Sequence, residues 1–164
     1  MRFNIVLLMC IIIFSCQKEE ERVLQNGVYR GNLVAQDNEK MPFLFEVTSP
    51  NKLKIYNADE VIEVDEITYK NDSVFIRLPY FETLIAAHFD GTNFTGQWIE
   101  EDRDRSVAVY SEFEKENRFD VKNNDQTDVS GIWELEFNDY GNIYPAKGVF
   151  EQEGNQVTGT IRTP

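Results

Sequence analysis

The sequence predicts an all-β protein: an antiparallel barrel-like or curled sheet unit after an N-terminal apolar leader, followed by the start of a second similar unit. Three observations predict it. From Gly27 onward apolar and polar residues alternate with a period of two, which gives an extended strand one inward and one outward face. The alternating runs are short and broken by Gly, Asn, Asp and Pro, with the roughly 8–12-residue spacing of sandwiches and barrels. After the N-terminal apolar run, no segment carries apolar residues at helical spacing.

The elements follow in order. "GVYRGNLVAQ" is a strand that breaks at "DNEK", and "PFLFEVT" is its hairpin partner. "KLKIYN", "VIEVDEITYK" and "SVFIRLP" continue the alternation, with Asn71-Asp72 as a tight turn that tolerates positive φ. "TLIAAHF", the turn "DGTN", "FTGQWIE" and "SVAVYSEFE" complete a first unit over residues 24–114. Residues 115–129, rich in turn formers, read as a linker, and residues 130–164 as the start of a second unit.

Two matches support a repeat. Gly27-Val28-Tyr29-Arg30-Gly31-Asn32-Leu33 aligns with Gly131-Ile132-Trp133-Glu134-Leu135-Glu136-Phe137, sharing a glycine, an aromatic two on and an apolar residue six on. Gly91-Thr92-Asn93-Phe94-Thr95-Gly96-Gln97-Trp98 parallels Gly154-Asn155-Gln156-Val157-Thr158-Gly159-Thr160-Ile161. In each, the first glycine suits a left-handed turn residue. The second permits a bend or a close backbone approach. The expectation is that the second unit is unfinished and the chain a fragment of something longer; the alternative is that its last strands complete the first barrel.

The N-terminus carries the one residue with a chemical assignment. Arg2 precedes the apolar run Ile5 to Phe14, about half the ~20 residues a membrane-spanning helix needs. Residues 1–15 therefore read as a signal peptide. Ile13-Phe14-Ser15-Cys16 resembles the bacterial lipobox, in which the cysteine sulfur receives a diacylglyceryl group and the new N-terminus is acylated, as by palmitate. Lipid chains supply the two attachment signals that stable anchoring requires. Residues 16–23 then form an acidic tether, similar to the surface-export signal of some Gram-negative lipoproteins. The expected location is the cell envelope, anchored to the outer membrane on its periplasmic or surface face. The chain has two cysteines, Cys10 and Cys16. Cleavage removes the first and lipidation caps the second, so thiol chemistry and disulfides are excluded.

Net charge is −13, which repels nucleic acid and anionic headgroups. His88 is the only histidine; one imidazole builds no zinc site, and no nucleophile elbow accompanies it. Glu100-Glu101-Asp102-Arg103-Asp104 offers oxygen ligands but lacks the glycine turn and ligand spacing of a calcium loop. Asp59-Glu60 and Asp65-Glu66 are adjacent pairs, which a strand would point to opposite faces. Asp72-Ser73-Val74 resembles a bacterial O-glycosylation sequon. Tyr29, Phe43, Phe45, Tyr56, Phe75, Tyr80, Phe94, Trp98, Trp133 and Phe150 are expected largely at inward positions, filling a barrel or lining a cavity within it.

The lipobox, "GVYRGNL", "MPFLFEV", "DSVFIRLPYFETLIAAHFDGTNFTGQW" and the restart "SGIWELEF" together resemble the N-terminal β region of TlpA-like, thioredoxin-family lipoproteins. The resemblance implies a non-catalytic accessory domain beside a fused redox domain. Neither a thioredoxin domain nor its Cys-x-x-Cys is in this sequence, so disulfide reductase activity would belong to a longer parent. No catalytic, metal or cofactor residues are assigned. The alternative is a stand-alone β-barrel binding module for a small apolar ligand or a partner protein.

Overall fold

The computed structural model describes residues 22–164 apart from 36, 81, 122–126 and 140. The predicted signal peptide, Cys10, Cys16 and most of the tether lie outside the described residues.

Twelve strands form two antiparallel sheets. The first sheet contains β1 (Gly27–Val34), β2 (Lys40–Ser49), β3 (Lys52–Asn57), β4 (Glu60–Val64), β5 (Glu66–Lys70), β6 (Ser73–Arg77), β7 (Thr83–Asp90), β8 (Asn93–Glu100) and β9 (Arg105–Phe113). Its order is β4-β3-β2-β1-β9-β8-β7-β6-β5. Every pair is antiparallel, including the long-range pairing of β1 with β9. Counting directions around that order, β4 and β5 run the same way, and only Asp65 separates them. "VIEVDEITYK", read as one strand, is thus a bent one. Its first half pairs with β3 and its second half with β6. The chain itself bridges the two edges, and the sheet curls into a nearly closed barrel of eight staves, one of them bent.

The phase of the alternation explains the bend. Ile62 and Val64 face inward before Asp65, and Ile67 and Tyr69 after it, so the inward parity slips by one residue. A one-residue slip reverses the faces of a strand. Here the turn at Asp65 restores the apolar side to the interior.

That interior is Tyr29, Phe45, Val47, Leu53, Ile55, Val64, Ile67, Val74, Ile76, Ile85, Ala87, Phe94 and Val109, all buried. Large residues sit beside small ones across the ladders. Gly31 pairs with Phe43, and a Cβ on Gly31 would come within 2.3 Å of the Phe43 ring. Gly96 pairs with Ala87. Tyr29 stacks on Phe45 at 4.9 Å with 9° between the planes, in the range of favourable aromatic pairs. The Tyr29 hydroxyl donates to the Gln25 carbonyl, and burial pushes its pKa up to about 12. Leu24, 2% exposed, closes this end of the barrel, its N–H donating to the Tyr69 hydroxyl.

Four aromatics expected inside lie elsewhere: Tyr56 and Phe75 by strand parity, Tyr80 beyond a strand end, and Trp133, which is 45% exposed. Tyr56 lies between inward Leu53-Ile55 and the end of β3, and its hydroxyl donates to the Glu46 carboxylate. Phe75 falls between inward Val74 and Ile76, and Tyr80 is 58% exposed after β6 has ended.

The outer wall at the β1–β9 seam is polar and tied down. Arg30 donates to Glu112 at 2.8 Å and pairs with Asp120 at 3.0 Å, and Asn32 also donates to Glu112. Arg118 donates to the Pro42 carbonyl. Part of the predicted linker is therefore bound to the barrel wall. The Arg30 guanidinium holds the Glu112 carboxyl below its usual range.

The second sheet is β10 (Gly131–Asp139), β11 (Asn142–Glu153) and β12 (Gln156–Arg162), in that order. These last strands do not complete the barrel. The two sequence matches have structural counterparts. Gly27 and Gly131 both have positive φ, 142° and 120°. Tyr29 and Trp133 each turn a polar tip back to the carbonyl four residues upstream. Gly91 and Gly154 both occupy left-handed turns, at 64° and 60°. A Cβ on Gly96 or on Gly159 would strike a carbonyl of the neighbouring strand, Ala86 O at 2.1 Å and Val149 O at 2.7 Å respectively.

Candidate functional site

The barrel core is filled. The void left among Phe43, Phe45, Leu53, Ile55, Ile76, Ile85 and Phe94 is 10 Å³, at most about one water. The expectation of filling, rather than of a ligand cavity inside, fits this interior.

Space opens at the end opposite Leu24. There β1 and β8 finish and β2 and β9 begin, and the walls splay into a mouth of 410 Å³ lined by Leu33, Ala35, Asp37, Met41, Trp98, Glu100, Arg105 and Val107. Small-molecule sites occupy about 300–1,000 Å³ with an apolar lining and a few polar groups. Alternation dictates who faces the mouth. Trp98 continues the inward face of Phe94 and Gly96; Leu33 continues that of Tyr29 and Gly31. The Trp98 ring meets Phe43 edge-on at 5.9 Å and 71°, so the floor of the mouth is the roof of the core. Met41, 50% exposed, supplies an adaptable apolar wall.

The polar rim is arranged by a short 3-10 turn, Glu101–Arg103, between β8 and β9. Glu100 and Arg105 are register partners, yet Glu100 has Arg103 at 3.7 Å instead. Arg77 holds Glu101 bidentately, at 2.7 and 3.3 Å, which lowers the Glu101 carboxyl. Arg105 makes no ion pair among the described residues. The acidic run 100–104 thus serves as a braced hairpin, and no group of three or more metal-ligating side chains occurs among the described residues.

His88 does have neighbours that sequence spacing hid. It is the cross-strand partner of Ser73, and the Ser73 Oγ lies 2.8 Å from His88 Nδ1. Ser73 donates to Asp72 at 3.2 Å, and Asp72 lies 3.6 Å from the same Nδ1. The Ser73 hydroxyl lowers the Asp72 carboxyl. This grouping cannot work as a catalytic triad, which needs serine and carboxylate on opposite ring nitrogens. Here both converge on one. Ser73, 8% exposed, also offers a poor acceptor for the glycosylation its tripeptide resembles. Asp59 lies in the β3–β4 turn, and Asp65, at the bend, borders a 180 Å³ hollow with Lys52, Lys54 and Glu63. A 690 Å³ hollow on the second sheet includes Leu135, Pro145 and Ala146 together with exposed Glu134, Glu136, Lys147 and Arg162.

Sequence reasoning named Trp98 but missed Leu33, Met41, Val107 and Arg105 as its companions. Their strand parity was legible; which barrel end would stay open was not. Cys16, the one assigned site, lies outside the described residues. Comparison with protein-family models, with curated proteins and with solved structures finds no match to this chain.

Proposed function

We propose that the chain is a lipid-anchored protein of the cell envelope whose barrel is a non-catalytic binding module, holding a small apolar or amphipathic molecule at its mouth. The observation that carries this reading is the contrast between a filled interior and an open, tryptophan-floored mouth. The mouth joins apolar Leu33, Met41, Trp98 and Val107 to the polar groups Asp37, Glu100 and Arg105.

The anchor is Cys16, attached to the outer membrane from its periplasmic or surface face. Its support is the lipobox resemblance together with the direction of entry into the barrel. The chain enters beside Leu24, at the closed end, and β1 then runs toward the mouth. A tether of residues 16–23 would leave the mouth directed away from the lipid. Mass spectrometry of protein extracted from membranes should find acyl mass on Cys16; a bare thiol there removes the anchor.

Octanoate and octanol serve as probes of the mouth. Both are expected to raise Tm and perturb Trp98 fluorescence in a Trp133→Phe background, since a ligand at one hundred times its Kd stabilises by about 2.7 kcal/mol. Trp98→Ala is expected to abolish the shift. Identical melting with and without both probes would leave the mouth without a ligand role. The accessory role implied by the family resemblance is the second reading, favoured by the second sheet, which exposes apolar residues on both faces.

A further inference from the structure

We propose, building on the reading of the mouth as a ligand site, that its occupant is a fatty acid, an apolar chain with one carboxylate head, and that Arg105 selects the head. The apolar lining fixes the tail, and the commitments of the charged rim fix the rest.

The ladder places the selector above the floor. Trp98 pairs with Val107, and one step outward on the same face Glu100 pairs with Arg105. Two residues of strand rise about 7 Å, so the Arg105 backbone stands about that far beyond the level of the tryptophan. Leu33 and Met41 are partners on the wall formed by β1 and β2. A chain lying on Trp98 therefore meets apolar side chains first and charge at the rim. Trp98 against Phe43 closes the floor, and the void among the core residues beneath is 10 Å³, so the tail stops at the mouth.

Three charged side chains line the mouth, Asp37, Glu100 and Arg105, and both acids are committed. Asp37 accepts the Glu39 N–H at 3.1 Å. Glu100 and Arg105, opposite charges directly across a ladder, are placed to pair with each other. Instead the turn Glu101–Arg103 ends on Asp104 in the left-handed region, φ 47°, and Arg103 lies 3.7 Å from Glu100. Arg105 is exposed, and its guanidinium makes no hydrogen bond or ion pair among the described residues. It is thus the rim group with donors to spare, and its planar fork matches a carboxylate.

The surrounding charge sets the valence of the head. Asp37, Glu100 and a net charge of −13 oppose a doubly charged phosphate more than a single carboxylate. A cationic head would face Arg105 and would have to draw Glu100 away from Arg103.

The test titrates the full chain carrying Trp133→Phe with octanoate, octanol and octylamine, and with acetate as a head without a tail, reading Trp98 fluorescence and Tm. Octanoate is expected to bind about fivefold more tightly than octanol, the upper end for an exposed ion pair, and octylamine most weakly. High salt is expected to shrink the octanoate advantage, and acetate at the same concentration to give no shift. Arg105→Gln, an exposed change outside the core, is expected to abolish the preference for octanoate, and Arg105→Lys to keep part of it. Equal binding of octanoate and octanol, tightest binding of octylamine, or an unchanged preference in Arg105→Gln overturns the assignment while apolar binding at the mouth stands. An acetate response as large as that of octanoate would show an adventitious ion only and overturns it too. No response to any octyl probe removes the mouth as a ligand site, and the fatty acid with it.

Discussion

Gly96→Ala is expected to destabilise the protein by at least about 3 kcal/mol, the upper end of what overpacking costs. A Cβ at Gly96 would lie 2.1 Å from the Ala86 carbonyl oxygen and 2.5 Å from the Ala87 Cα. Both obstacles are backbone in the adjacent strand, so relief requires β7 and β8 to part. That separation would disturb the ladder carrying Ile85, Trp98 and Phe94. Gly31 provides the graded control. The three atoms nearest its Cβ all belong to the Phe43 ring, a side chain that can turn aside, and Gly31→Ala is expected to cost about 1–2 kcal/mol. Urea denaturation of the two variants measures the difference. Equal losses would mean that the approach of β7 to β8 is looser than described. With total stability for a domain of this kind at about 5–15 kcal/mol, Gly96→Ala removes a large share of it.

The second large effect is Phe45→Ala, expected to cost about 3–5 kcal/mol. Phe45 is 2% exposed and touches the core on three sides. It stacks on Tyr29 at 4.9 Å, and its ring centroid lies 5.9 Å from Phe43 and 6.0 Å from Phe94. The 10 Å³ void beside it shows how little slack the neighbours have, so the lost ring leaves a cavity that relaxation cannot close. Phe75→Ala, equally aromatic in the sequence but outward on β6, is expected to cost less than half as much. Chemical denaturation of both variants tests the inward and outward assignments together; similar losses would contradict the parity of β6.

Those assignments show where local pattern suffices. Gly91 and Gly154 read as left-handed turn residues from spacing, and both have positive φ; the positive φ of Gly27 and Gly131 is a finding of the structure. Gly96 and Gly159 suit either a bend or a close approach by sequence, and the structure selects close approach, since both abut a neighbouring carbonyl. The slip of parity at Asp65 was also written in the letters, since Ile62 and Val64 precede it and Ile67 and Tyr69 follow. The continuous run of apolar and charged residues, with no Gly, Pro or Asn to mark a break, hid it. Tyr56 and Phe75 stand outward by parity of β3 and β6, whereas Tyr80 lies beyond the end of β6, where alternation no longer applies.

The sequence by itself determined the all-β class, the hairpin turns, the repeated glycine-aromatic start and the absence of any cysteine chemistry outside Cys10 and Cys16. These follow from short-range rules of backbone geometry and from which residue types are present. Only the tertiary structure decided that β1 pairs with β9, that Asp65 carries the chain from one edge of the sheet to the other, and that Ser73 and Asp72 gather at His88. It alone placed Leu24 across one barrel end and left Trp98 at the other. Such features depend on contacts between residues far apart in the chain, where closure of the whole sheet and burial of the whole core choose among pairings that look alike locally.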